Sequence, residues 1–342
     1  MNTNNRIKWT LLSIVILLSL LACKNDSQVK DEPKVNNQPD VKAVTVPVFE
    51  RDSAYANVAA QVAFGPRVPG TEGHTATRKW LVQKLKSYGA SVNEQSFKAK
   101  TATIGEVRGT NIIASFNPTY ARRVLLGAHW DTRFAADEDD DRNKEAHLGA
   151  DDGGSGVGVL LEMARLIKNN PVQLGIDIVF FDVEDQGTSE GSQETWCIGA
   201  QHWAKNPHVA GYRAEYGILL DMVGAKGAQF QKEDATNVYP PEKVKSVHSL
   251  YDKVWSLAHA MKKGTYFLNN KGRPFTDDHY FVNLYTSVPM IDIINKPLDS
   301  AKGFGPHWHT HEDNMDIIDA GVLGAVGQVV TAYVYQSSRV VQ

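Results

Sequence analysis

The chain has 342 residues with 36 Lys and Arg against 39 Asp and Glu, a formal net charge of -3. No basic cluster is interleaved with aromatic residues and no segment repeats, which excludes a nucleic-acid-binding surface. Only two cysteines occur, Cys23 and Cys197, so a disulfide framework and a cysteine-ligated metal are both excluded, and any metal must be held by His, Asp and Glu.

In chain order, Arg6 and Lys8 precede an apolar run from Trp9 to Leu21 that ends in Leu20-Leu21-Ala22-Cys23. A charged start and a short apolar stretch read as an export signal over residues 1–22, too short for a span of ~20 residues. Its end resembles a bacterial lipobox, which implies a lipid on Cys23 and attachment to the cell envelope, on the periplasmic or outer-membrane side. Residues 23–47 are rich in Lys, Asp, Asn, Gln and Pro; too few large apolar residues are present to bury, so the stretch reads as a flexible tether. About 295 residues then remain as one domain, 48–342, long enough for a single α/β core.

That domain opens with helical spacing over 52–64 and 75–89, split by the turn-rich Phe64-Gly65-Pro66-Arg67-Val68-Pro69-Gly70-Thr71. Buried strands are expected at Val124 to Ala128, Ile176 to Phe181, Tyr216 to Leu220 and Val288 to Ile294. Helices are expected at Ser155 to Lys168, Ile198 to Lys205, Val244 to Met261 and Gly321 to Tyr335. Near-continuous apolar strands alternating with amphipathic helices predict a mostly parallel central sheet flanked by helices on both faces. Such sheets gather their chemistry outside the carboxyl ends of the strands.

Polar clusters stand at those ends. His129 and Asp131 follow the first strand, Glu184 and Asp185 the second, and Asp221 the third. Asp151-Asp152 sits ahead of Gly153-Gly154-Ser155-Gly156, where a carboxylate can cap a helix or approach an ion. Adjacent Glu184 and Asp185 suit a general base beside a metal ligand. His307-Trp308-His309-Thr310-His311 places three imidazoles in five residues, the commonest metal-ligating group. His129 can ligate or, with Asp131, support a ligand from behind. Asp277-Asp278-His279 adds a carboxylate loop. The acidic run 137–141 reads as solvated surface or a calcium-binding loop, 231–241 as a polar cover for the pocket, and Trp196 and Trp203 as either entrance or core.

The order GPRVPGT at Gly65, HWD at His129, ADDGGSG at Ala150, VEDQ at Val183, LLDMVGA at Leu219, DDH at Asp277 and WHT at Trp308 resembles the zinc exopeptidase clan. Within it the chain is similar to the glutaminyl-peptide cyclotransferases of the animal and bacterial type, over roughly residues 50 to 340. The cyclase branch rests on Trp308 before His309, Asp277 before Asp278-His279, and Gly224 to Phe230 after Asp221. The resemblance implies an α/β/α sandwich and peptide or protein N-termini as substrate; the oligomeric state is left open with a monomer favoured, and membrane contact is expected only through the lipid on Cys23. It implies one zinc on Asp152, Asp185 and His309, Glu184 as proton shuttle, Asp221 and Asp277 around it, and Trp308 lining the substrate pocket. Two positions depart from the animal pattern: Asp185 is one methylene shorter than the Glu found there, and Asp292 stands where a His lies near the site. Asp292 is therefore expected behind the site only. The clan's two-zinc aminopeptidases are the alternative, with His129, Asp152 and Asp221 holding a second metal. A scaffold that has lost catalysis is disfavoured because every ligand type is present.

Overall fold

The computed structural model describes residues 45–300 and 302–338. The expected signal segment 1–22, Cys23 and nearly all of the 23–47 tether lie outside them, as do the last four residues of the chain. Along the described chain run α1 (Arg51–Val62), α2 (Glu72–Ser87), β1 (Ser91–Lys100), β2 (Glu106–Phe116), β3 (Arg123–His129), α3 (Gly154–Asn169), β4 (Gly175–Phe181) and α4 (Ile198–Lys205). They are followed by β5 (Gly217–Asp221), β6 (Phe230–Glu233), α5 (Pro241–Ala260), β7 (Phe267–Gly272), α6 (Asp278–Tyr285), β8 (Met290–Ile294) and α7 (Ala320–Ser337).

Six strands form the central sheet in the order β1-β2-β4-β3-β5-β8. The pairs β4–β3, β3–β5 and β5–β8 are parallel, and β1–β2 and β2–β4 antiparallel. The parallel part is the sheet expected from the apolar runs. The antiparallel edge was not legible in them. β1 reads Ser-Val-Asn-Glu-Gln-Ser-Phe-Lys-Ala-Lys and leaves most positions partly or fully exposed, so it carries no apolar run; an edge strand can remain polar. β2 is buried from Gly109, but its first buried positions are Gly, Thr and Asn.

Alternation along the parallel strands divides the core. Leu126, Ile178, Leu220, Ile291 and Ile293 face one cluster with residues of α1, α2, α3, α5 and α7. Leu125, Val179, Phe181, Leu219 and Met290 face a second with Trp203 of α4 and Phe281 and Val282 of α6. Helices thus cover both faces. Trp203, one of the two aromatic candidates for an entrance, is fully buried in this second cluster against Phe181 and Tyr212.

One glycine brings a helix start and a strand end close enough to share a site. A Cβ on Gly156 would lie 2.1 Å from the Leu220 carbonyl oxygen, so only glycine lets the first turn of α3 press against β5. That contact places Asp152, just before α3, near Asp221 at the end of β5.

Candidate active site

The backbone around the strand ends is bent sharply. Val183 (φ 57), Met222 (φ 47), Cys197 (φ 55) and His309 (φ 56) are non-glycine residues in the left-handed region. Such a conformation costs about 1–3 kcal/mol per residue and persists where surrounding contacts enforce it; for a β-branched residue such as Val183 it is a genuine outlier. Val183 turns the chain out of β4 directly before Glu184, and Met222 directly after Asp221.

The folding brings Asp152, Asp185 and His309 together, each buried, with one potential ligand atom apiece all within 4.8 Å of one another. His309 Nε2 lies 3.0 Å from Asp185 Oδ1 and 3.7 Å from Asp152 Oδ2. Asp185 Oδ2 is buried with no hydrogen-bond partner, a lone oxygen that a cation would satisfy. Two carboxylates and one imidazole are a donor set that fits zinc and leaves a coordination position for substrate. A second group shares Asp152. His129 Nε2 is 2.9 Å from Asp152 Oδ1 and 3.1 Å from Asp221 Oδ1, and these three also meet the spacing for a metal.

Glu184 stands between the groups. Its Oε2 is 3.9 Å from His129 Nδ1, and its carboxyl lies with the Cys197 thiol and Asp277 inside 4.8 Å. Burial holds the Glu184 carboxyl well above the usual carboxylate range; nearby Asp185, Asp277 and Asp278 push the same way and His129 opposes them. Asp277 thus lies beside Glu184, whereas Asp221 turns its carboxylate to His129. The DDH segment is not a loop throughout: Asp277 caps α6, accepting from the Asp278 amide. Asp292 is fully buried behind Asp277, 3.6 Å from His279 Nδ1, with neither carboxyl oxygen hydrogen-bonded.

Several buried polar groups hold these residues in place from behind. Asp131 accepts from the backbone amides of Glu184 (3.0 Å) and Asp185 (3.3 Å) and from Gln186 Nε2, so it shapes the turn that carries both acids. Arg67 is buried and spends its guanidinium on carbonyls: Trp130 (2.9 Å), Leu148 (2.7 Å) and Gly149 (2.6 Å). It ties the loop after β3 to the loop before Asp152, although burial lowers its pKa to about 10. Asp313 accepts from the amides of Asp151 and Asp152, and Asp151 accepts from the Gly224 amide and meets His307. Of the three clustered histidines, only His309 reaches the metal-type group.

The acidic run does not form a cage for one ion. Asp137 accepts from Arg133 at 2.6–2.9 Å and stands 3.2 Å from His309 Nδ1. Asp139 binds the His311 amide at 2.9 Å and its ring, while Asp140 and Asp141 point outward. A carboxylate behind a ligating imidazole fixes which nitrogen faces the metal. Nothing in the sequence marked Asp137 for this, because its partners lie 4 and 172 positions away.

The floor of acids opens into a cavity of about 340 Å³ walled by Trp196, Phe275, Phe304 and Trp308, with residues 188–193 at its rim. Trp308 stacks on His309 at 3.8 Å and meets Phe304 at 4.8 Å. Trp196 packs over Arg133 at 4.9 Å. The polar stretch 231–241, expected as the cover, does not line it; Gln231 is tied instead to Lys296 and Asn270.

The peptidase family M28 pattern matches residues 111–334. The glutaminyl-peptide cyclotransferase of Drosophila melanogaster is 26% identical over 328 residues, covering 90% of this chain and 88% of that protein. The crystal structure of Porphyromonas gingivalis glutaminyl cyclase matches with a TM-score of 0.80 at 50% identity, over 85% of this chain and 99% of that one. A zinc-dependent exopeptidase from Parabacteroides distasonis matches with a TM-score of 0.80 at 47% identity, over 85% of this chain and 99% of that one.

Proposed function

The chain belongs to peptidase family M28, and within that family we propose that it is a glutaminyl-peptide cyclotransferase, converting an N-terminal Gln of peptides or proteins to pyroglutamate with release of ammonia. The observation that carries this reading is Glu184, half-buried beside Asp152, Asp185 and His309 at the base of a small aromatic-walled cavity. The similarity to cyclotransferases along nearly the whole chain supports it.

Asp152, Asp185 and His309 would hold one zinc, which when bound supplies a Lewis acid for the side-chain amide carbonyl of the substrate. The remaining work falls to the protein. Glu184 accepts a proton from the substrate α-amine as that nitrogen bonds to the side-chain amide carbon. The bond from this carbon to the amide nitrogen then breaks, and Glu184 returns the proton to the departing ammonia. A carboxyl held above its ordinary pKa range suits a group that must both take and give a proton. Trp308 and Phe304 wall the pocket so that the Gln side chain folds back toward its own amine. That enforced approach replaces an encounter and lowers the barrier. Asp277 and Asp131 orient Glu184 by its side chain and its backbone.

The rival reading is an aminopeptidase with a second metal on His129, Asp152 and Asp221, favoured by their spacing. The two are separated by assaying purified protein on Gln-led peptides while measuring its metal. The cyclotransferase should release ammonia, leave every peptide bond intact and hold one zinc per chain. Free amino acid without ammonia, together with two zinc ions, would overturn it.

For the leader we propose export and lipidation at Cys23, motivated by Leu20-Leu21-Ala22-Cys23 and the polar tether behind it. The enzyme would then sit at the cell envelope and reach soluble peptides through the tether. Wild type should fractionate with membranes and Cys23→Ala should not. Equal fractionation of the two would remove the anchor.

A further inference from the structure

Cys197 lies outside every motif considered above. It is fully buried, and it is the residue from which α4 starts. Its φ of 55° and ψ of 37° place it in the left-handed region, which L residues with a side chain adopt only under constraint. The constraint is visible. The Cys197 amide donates to the Glu184 carbonyl (2.9 Å), and the Ile198 amide donates to the Val183 carbonyl (3.0 Å). Two backbone bonds therefore zip the start of α4 to the strained turn that carries Glu184. The left-handed turn at Cys197 leaves its side chain against the Glu184 carboxyl, with Sγ 3.3 Å from Oε1.

We infer that Cys197 is a positioning residue for Glu184: its thiol donates to Oε1 and fixes the carboxyl plane, leaving Oε2 as the oxygen that exchanges the proton. A thiol is a weak donor, but this one is held in place by its backbone. The thiol is the donor of this bond. Burial pushes the thiol well above its usual range, and Glu184, Asp278 and Asp277 reinforce the effect, so the sulfur keeps its proton. A buried protonated thiol is not a nucleophile. It is a donor that costs little volume and still leaves a basic carboxylate, since a weak hydrogen bond stabilises the anion only slightly. No other side-chain donor meets Oε1 among the hydrogen bonds of the described residues, so losing the thiol would free the carboxyl to rotate.

The inference rests on the cyclotransferase reading of Glu184, and the experiment keeps the two apart. Full-length, zinc-loaded wild type, Cys197→Ala and Cys197→Ser are compared by ammonia release, zinc content and thermal melting. C197A should lose about tenfold in kcat, because misorienting a proton-transfer group acts on the transition state, with KM and zinc content unchanged. C197S should recover most of that loss, because Ser differs from Ala by one oxygen that can donate in the same place. If C197A and C197S show the same kcat, whether both normal or both impaired, the residue serves packing alone and the inference falls. A wild type that releases no ammonia would instead remove the function on which it rests.

Discussion

Glu184→Gln should lower kcat for Gln-led peptides by about 10²–10⁴-fold while zinc content stays at the wild-type level. The amide matches the carboxylate in size and can still accept from the Cys197 thiol, which lies 3.3 Å from Oε1. It cannot take the proton from the substrate amine, and the first bond-forming step loses its base. The backbone of residue 184 keeps its bond to Asp131, so the adjoining Asp185 stays in place. KM should change little, because the cavity walls Trp308 and Phe304 are untouched. Steady-state ammonia release with elemental analysis of the same preparation checks this. A variant that loses its zinc would mean that Glu184, not Asp185, is the ligand. A variant with wild-type kcat would mean that another group moves the proton.

Removing a ligand acts differently. His309→Ala should abolish both zinc retention and turnover, since only two carboxylates remain and neither supplies a neutral nitrogen donor. Asp137→Asn should weaken zinc binding by about 10–100-fold. Asp137 stands 3.2 Å from His309 Nδ1 and is itself held by Arg133; an asparagine can present its NH₂ to that nitrogen and favour the wrong tautomer. Chelator competition measures both variants without relying on activity. The ordering matters: loss with H309A, a graded weakening with D137N. If H309A keeps one tightly bound zinc, the metal occupies His129, Asp152 and Asp221, and the assignment of the centre is wrong.

Much of this was legible in the linear sequence. Largely apolar runs of five to seven residues pointed to four parallel strands, because a strand buried on both faces has no polar alternation. Placement of ligands followed from that, since side chains at carboxyl ends of adjacent parallel strands must converge. His129, Glu184, Asp185 and Asp221 were therefore candidates before any distance was known, and local spacing alone marked Asp152 and His309. The edge strand β1 and its neighbour β2 left no comparable trace, because an edge strand tolerates polar residues and the first buried positions of β2 are Gly, Thr and Asn.

What only the tertiary structure decided is which acid meets which base. The sequence by itself determined the identity of the reactive groups and their common edge of the sheet. It left open whether Asp221 turns to His129 or to Glu184, and it was silent on Asp137 backing His309, on Arg67 binding the loop before Asp152, and on Cys197 facing Glu184. Each of those is a contact between separate segments of the chain, made over distances near 3 Å. Hydrophobic patterning reports the average direction of a face, and it carries no information about the left-handed turns at Val183, Cys197 and His309 that aim these groups. Those turns are imposed by the packed whole, and they are where the chemistry sits.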